Sequence, residues 1–142
     1  MIYSLYGQPA SGKTVLGRML AAAKMTTYHV DGDEFRNLFS NKNYGEEGRR
    51  KNITAANAVA TYLNKTQEED VVISLVNPYE DLRNELKSNN QNQVVEVLLT
   101  SNRELRKEYH VKDFEDGSPD YIINTDCKPD RAFKQLIQLW NL

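Results

Sequence analysis

Short apolar runs alternate along this chain with longer stretches whose apolar residues recur at helical spacing. Runs of β character fall at Ile2–Tyr6, Thr27–Val30, Val71–Val76, Val94–Thr100 and Tyr121–Asn124. Val71–Val76 is almost continuously apolar, as a strand covered on both faces requires. Between these runs the spacing predicts helices over Lys13–Lys24, Glu34–Ser40, Glu46–Lys65, Pro78–Ser88, Asn102–Tyr109 and Pro129–Trp140. In the longest of them Ile53, Ala56, Ala60 and Leu63 share one face, with polar residues opposite. Ala132, Leu136, Leu139 and Trp140 mark a packing face on the last. Strand–helix alternation predicts an α/β fold, a five-stranded parallel sheet with helices on both faces. Ligands in such sheets bind beyond the carboxyl ends of the strands, which directs attention to the loops after Tyr6, Val30, Val76 and Thr100. Asn89–Gln93 and Thr66–Asp70 read as plain polar connections.

Composition narrows the function class. At 142 residues the chain reads as one domain, 1–142, large enough for a real core. A net charge of −2 gives no global basic field for duplex DNA or a membrane surface, although it leaves room for a local basic patch. The one cysteine, Cys127, excludes an intrachain disulfide, and only His29 and His110 could join it at a metal. No run reaches transmembrane length, and a strand at the start leaves no signal peptide, so a reducing cytoplasm is expected.

The chemistry begins at Gly7-Gln8-Pro9-Ala10-Ser11-Gly12-Lys13-Thr14, which fits G-x-x-x-x-G-K-[ST] in full, with a strand before it and a helix from Val15 onward. Glycines let the backbone turn successive N–H groups toward one anion, and the following helix adds its positive end. Gly7, Ala10, Ser11, Gly12 and Val15 are therefore candidate nucleotide-binding positions. Lys13 would reach the β/γ-phosphates of ATP and the Thr14 hydroxyl would sit on Mg²⁺. An ordinary Gly/Pro turn would not need the complete octapeptide in this context.

After the second strand, His29-Val30-Asp31-Gly32-Asp33-Glu34-Phe35-Arg36 brings two carboxylates to its carboxyl end. Two apart in an extended segment, Asp31 and Asp33 are expected to share a side. Asp31 suits Mg²⁺, and Asp33 suits orienting or deprotonating an acceptor hydroxyl. A helix N-cap alone would use one carboxylate, not two. Arg36, one turn further on, could face the same cleft.

The order of the phosphate loop, a strand and D-G-D-x-x-R resembles the adenylylsulfate kinases (APS kinases), which implies a P-loop kinase-like three-layer sandwich. Tyr44 through Ile53 matches the family's aromatic residue, acidic segment and R-x-x-N-I, with Arg49 and Asn52 in place. Val76-Asn77-Pro78-Tyr79 with Arg83 stands for its I-S-P-Y/H and later arginine. By that resemblance Arg36, Arg49 and Asn52 would hold the phosphosulfate end of adenylyl sulfate, Tyr44 would lie on its adenine, and Asn77 and Pro78 would border it. Phe114 would supply the second stacking ring or else pin its loop to the core. Contact with the ATP adenine is expected around Cys127–Pro129. ATP, Mg²⁺ and a small-molecule acceptor in sulfate assimilation follow; a homodimer is compatible, nucleic acid and membrane are not called for.

The chain departs from that family in three places. It begins on its first strand, without the family's N-terminal extension; Asn77 replaces a serine; and the basic lid after strand four is cut back. Arg103, Arg106, Lys107 and Lys112 remain to bring charge to a moving phosphoryl group, with Arg106, expected in mid-helix, the choice among them. The residues alone leave two other readings open: a kinase for a nucleoside, sugar-like metabolite or polynucleotide 5′-hydroxyl, and a nucleotide-binding module with little catalysis.

Overall fold

Every residue of β1 (Ile2–Tyr6) and of β3 (Val71–Leu75) is buried, and the sheet is built outward from these two strands. The computed structural model describes residues 1–104 and 106–140, the Trp140 side chain excepted, so the packing expected of that side chain lies outside the described residues. Strands β2 (His29–Asp31), β4 (Val94–Thr100) and β5 (Tyr121–Asn124) complete a parallel sheet in the order β2-β3-β1-β4-β5. Tyr6 stands level with Leu75 on one side and Leu98 on the other. The chain leaves β1 toward one edge of the sheet and later returns to build the other. That reversal opens a crevice beyond the end of β1, where the Gly7–Thr14 loop sits.

Among the described residues five helices cover the sheet: α1 (Lys13–Ala23), α2 (Gly32–Leu38), α3 (Glu46–Thr66), α4 (Glu80–Asn89) and α5 (Pro129–Trp140). Alternation along the strands sorts the core into two layers. Ile2, Val71, Ile73 and Leu75 meet Ile53, Ala56 and Ala60 of α3 and Leu82 and Leu86 of α4. Tyr3, Leu5, Val72 and Val97 meet Leu16 and Leu20 of α1 and Ala132 and Leu136 of α5. Among the described residues no helix is long and apolar enough to cross a membrane.

Several boundaries and roles differ from the sequence reading. The second strand is displaced to His29–Asp31 and its helix begins at Gly32, so Asp31 and Asp33 are not two residues of one extended segment. Leu139 is exposed rather than packed. The 89–93 connection is no plain surface loop. Buried Asn90 donates to Thr61 Oγ1, and Asn64 Nδ2 donates to Asn90 Oδ1 and Gln93 Oε1, tying the loop to α3.

The helix expected over Asn102–Tyr109 is reduced, among the described residues, to a 3₁₀ turn at Lys107–Tyr109, preceded by Arg106 in the left-handed region (φ 55°). The stretch is mostly charged and has no apolar stripe to bury, and helices this short gain their stability from packing. Its first N–H groups have other acceptors: Asn102 donates to Asp126 and Arg103 to Ser101 Oγ.

One ionic cluster lies inside the fold. Arg83 is 2% exposed and pairs with Glu96, itself 3% exposed, at 3.7 Å. Lys87 reaches the same carboxylate at 2.6 Å. The Arg83 guanidinium covers the Tyr6 ring at 4.4 Å and donates to the carbonyls of Asn77 (2.7 Å) and Glu115 (2.5 Å). Burial pushes the Tyr6 hydroxyl up to about 12, with Arg83 opposing and Glu96, Asp116 and Glu80 adding to the shift. That hydroxyl donates to the Asp116 carbonyl.

Gly17 lets α1 approach the sheet. A Cβ there would stand 2.3 Å from Ser74 Oγ and 2.5 Å from His29 Nε2. Those atoms are themselves in contact at 2.8 Å, and Ser74 Oγ donates to the Lys13 carbonyl. Alanine gains about 1 kcal/mol over glycine in a helix, whereas overpacking costs about 1–3 kcal/mol. Here it would also disturb a bonded pair. Gly17→Ala is therefore expected to lower the urea midpoint; an unchanged or raised midpoint would show that α1 can give way.

Candidate active site

The Gly7–Thr14 loop turns through two left-handed residues, Ala10 (φ 64°) and Gly12 (φ 89°), before α1 begins at Lys13. Glycine takes such an angle freely, and a turn of this kind aims backbone N–H groups into one concavity. Ser11 is buried, and its carbonyl accepts from Thr125 Oγ1 at 2.7 Å, tying the loop to the end of β5. Lys13 lies back along the loop, its Nζ donating to the Gln8 carbonyl (2.8 Å) and to Ser11 Oγ (3.3 Å). Burial lowers its pKa to about 8, against the opposing pull of Asp33 and Asp31.

Thr14 Oγ1 donates to Asp31 Oδ1 at 2.5 Å, joining the start of α1 to the end of β2. The other oxygen, Oδ2, accepts the Glu34 N–H, so Asp31 caps α2 as well. Asp33, in the first turn of α2, points into the cleft and is reached by Arg106 at 3.4 Å. Among the described residues no group of three or more His, Cys, Asp or Glu could cage a metal. A hydroxyl touching one carboxylate beside a phosphate loop fits Mg²⁺, which keeps several waters and shares its shell with substrate phosphates.

The cleft, about 240 Å³, is also lined by Arg36, Tyr44, Arg49, Asn52 and Asn77. Arg36 is buried; its Nη1 donates to the Asn43 carbonyl at 2.8 Å and to both oxygens of Asn41, and its guanidinium lies 4.3 Å over the Tyr44 ring. Burial lowers its pKa, yet a guanidinium stays charged. Arg49 donates to Tyr79 Oη (3.0 Å) and to the Tyr44 carbonyl (2.6 Å). Asn52 Nδ2 donates to the Gly32 carbonyl at 3.4 Å, a long bond. Asn77 is fully buried at φ 49°, and neither its Oδ1 nor its Nδ2 has a protein partner.

The segment 106–117 borders the cleft through its first residues. Tyr109, not singled out from the sequence, lines the cleft with Arg106, and its ring meets Tyr44 at 5.3 Å. Phe114 and Pro78 are not among the lining residues. Phe114 stacks on Tyr6 (6.2 Å, 2°), and the Pro78 carbonyl accepts the Glu115 N–H. Arg103 donates to the carbonyls of Ala10 and Thr125, bracing the loop from outside, while Lys107 pairs with Glu104. Gly7 and Ser11 shape the loop without lining the cleft; Ala10, Gly12, Lys13, Thr14 and Val15 line it. A second cavity, about 330 Å³, adjoins the loop and is bounded by Ala10, Gly12, Val15, Arg103, Thr125 and Cys127.

Comparisons with known proteins bear on the family and the fold. The model of the adenylylsulphate kinase family matches residues 1–118. No curated protein sequence matches the chain. Among solved structures, the Mycobacterium tuberculosis APS kinase CysC in complex with AMPPNP and APS is similar at 17% identity and TM-score 0.80, over 99% of this chain and 97% of that one. A gluconokinase from Sinorhizobium meliloti is similar at 14% identity and TM-score 0.71, over 98% and 90%. Shikimate kinase from Aquifex aeolicus is similar at 16% and 0.69, over 99% and 96%. At these identities the structural likeness establishes the fold, a P-loop kinase sandwich.

The state of Lys13 sets a pH dependence. Its ammonium in the free protein is charged below about pH 8 and neutral above it. A bound polyphosphate favours the charged form and raises that pKa. ATP affinity is thus expected to be full below about pH 8 and to fall above it by up to about tenfold per pH unit, because binding must then take up a proton. Titration with a fluorescent ATP analogue across that range checks this, and Lys13→Arg should flatten the profile because arginine does not titrate there. A wild-type affinity that holds constant up to the ordinary lysine range would contradict it.

Proposed function

The chain belongs to the adenylylsulphate kinase family, a phosphotransferase family, and on that premise we propose that it moves the γ-phosphoryl group of ATP to the 3′-hydroxyl of adenylyl sulfate. The observation that carries this reading is the pairing, in one cleft, of a phosphoryl-transfer end with an anion-holding end. Lys13, Thr14, Asp31 and Asp33 stand at the first; Arg36, Arg49 and Tyr44 stand at the second. The phosphate loop already accounts for the nucleotide donor. Two further guanidinium groups, each held in place by protein partners, are not called for by a neutral acceptor but suit a phosphosulfate with several equivalent oxygens.

Phosphoryl transfer asks mainly for positioning and charge neutralisation. The donor's adenine would occupy the cavity beside Cys127, and the loop N–H groups would hold its phosphates. Lys13 would leave the Gln8 carbonyl to meet the β/γ-oxygens. Thr14 and Asp31 would hold Mg²⁺, which, when bound, neutralises charge on those same phosphates. Asp33 would take the proton of the attacking hydroxyl, and Arg106, now on Asp33, would then turn its charge to the phosphoryl group. Arg36, Arg49 and Asn52 would fix the phosphosulfate, with the acceptor adenine against Tyr44.

One observation favours a different acceptor on the same machinery. Asn77, in place of the family's serine, carries an unpartnered amide at the cleft wall. An amide offers a donor and an acceptor side by side, so an acceptor with the complementary pair would satisfy what a lone hydroxyl partner leaves open.

Purified protein with Mg-ATP and adenylyl sulfate is expected to form 3′-phosphoadenylyl sulfate. Lys13→Ala should lose roughly 10²–10³-fold in kcat and Asp33→Ala about 10²–10⁴-fold. ATP binding without this product, or better turnover of a neutral sugar or nucleoside, would overturn the acceptor assignment. Undiminished turnover by Lys13→Ala would remove the loop from the mechanism.

A further inference from the structure

Gln8 occupies one of the x positions of the phosphate loop, where the motif places no demand on the side chain. In this chain that side chain has a definite task. Its Nε2 donates to the Val111 carbonyl at 2.8 Å, and its Oε1 accepts the Val111 N–H at 2.9 Å. The primary amide thus pairs with both main-chain polar groups of Val111 across 103 positions of sequence, in the two-point manner of adjacent antiparallel strands. Two parallel bonds fix distance and orientation together, which one bond does not. The main chain of Gln8 is occupied as well: its carbonyl accepts the Ser11 N–H (3.2 Å) and holds Lys13 Nζ. One residue therefore touches both the phosphate-binding lysine and the segment that borders the cleft.

That segment has attachments at both ends besides. Toward its start, Arg106 contacts Asp33 and Tyr109 contacts Tyr44. Toward its end, Phe114 and the Asp116 carbonyl rest on Tyr6. The Arg106–Asp33 pair is exposed and of little strength. What sets Arg106 over the transfer end of the cleft has to come from its neighbours in the chain, and Val111 is the point at which those neighbours meet the loop itself.

We infer that Gln8 is a positioning residue for phosphoryl transfer: through the two bonds to Val111 it registers the short segment 106–117 against the phosphate loop, so that Arg106 stands where charge develops. A long basic lid can close by wrapping around its substrates. A short one must be aimed, and Gln8 supplies the aim. The inference rests on the phosphotransferase assignment and not on the identity of the acceptor.

The test uses the full chain with Gln8→Met, which keeps the volume and loses both bonds, beside Gln8→Ala. Hydrogen exchange is measured over peptides spanning 106–117 in nucleotide-free protein, and steady-state turnover of ATP with adenylyl sulfate is measured alongside. Exchange in that segment is expected to rise about tenfold in both variants. kcat is expected to fall about tenfold, with KM for ATP within about twofold of wild type, since the loop backbone and Lys13 are untouched. A merely structural glutamine would instead lower the melting temperature and spoil KM and kcat together. Unchanged exchange, or a rise in KM with kcat intact, overturns the inference. If the wild type does not phosphorylate adenylyl sulfate, the acceptor assignment fails alone. The same kcat–KM comparison then runs on acceptor-free ATP hydrolysis, where a fall in kcat at constant KM supports the role of Gln8 and parallel changes reject it.

Discussion

A guanidinium group buried in a protein has to be surrounded by partners, because an unpaired charge in the interior costs far more than packing can offset. Arg83 imposes that requirement on the middle of this fold. Its partners come from four places: Tyr6 at the end of β1, Asn77 after β3, Glu96 in β4 and Glu115 in the segment 106–117. One of those places, Asn77, lines the cleft, and meeting the demands of one cation fixes the four relative to one another. The Asn77 carbonyl is held by this cation while its side chain faces the cleft, and Asn is among the few residues that take its φ of 49° readily. The network is also the foundation of the short lid, whose far end rests on Tyr6 and Arg83 rather than on helices of its own.

The cleft is assembled in advance. Arg36 is held by the 41–43 turn, Arg49 by Tyr79 and the Tyr44 carbonyl, Thr14 by Asp31, and Asp33 by Arg106. Each charged group near the transfer point already has an internal partner. Arg36 and Arg49 need little reorganisation when an anionic substrate arrives, whereas in the proposed transfer Lys13 and Arg106 exchange their present partners for phosphoryl oxygens. The cut-back lid and this assembled cleft belong together: where less polypeptide covers the reactants, more of the geometry must stand ready beforehand.

How far all this could be read from sequence depended on whether a structural demand leaves a mark on residue type. Ile2–Tyr6 is buried on both faces and is mostly apolar for that reason, while Val94–Thr100 and Tyr121–Asn124, partly exposed, were legible from their β-branched and aliphatic runs between polar turns. β2, three residues long and only partly buried, left too faint a run, and its bounds were displaced. The charges of 102–109 sit at helical spacing but have no apolar face beneath them, and spacing alone misled. The Gly7–Thr14 loop and the carboxylates beside it could be picked out because a tight strand-to-helix turn and a hydroxyl bonded to a carboxylate need particular residue types. Gln8 could not, for its partner is a backbone, which any residue provides. Arg83 could be counted among the family's motifs, but its central place became visible only when four separated segments were seen to meet.

The unequal anchoring of the lid has a thermal consequence. At its tip, the water-exposed Arg106–Asp33 contact is of a kind worth at most about 1 kcal/mol, little more than ambient agitation supplies. At its root, the two hydrogen bonds of Gln8 to Val111 and the Arg83–Tyr6 cluster are harder to part. The tip can therefore lift many times for each release of the root. On that footing the segment is expected to act as a flap, lifting first at Arg106 while Val111 and Phe114 stay attached.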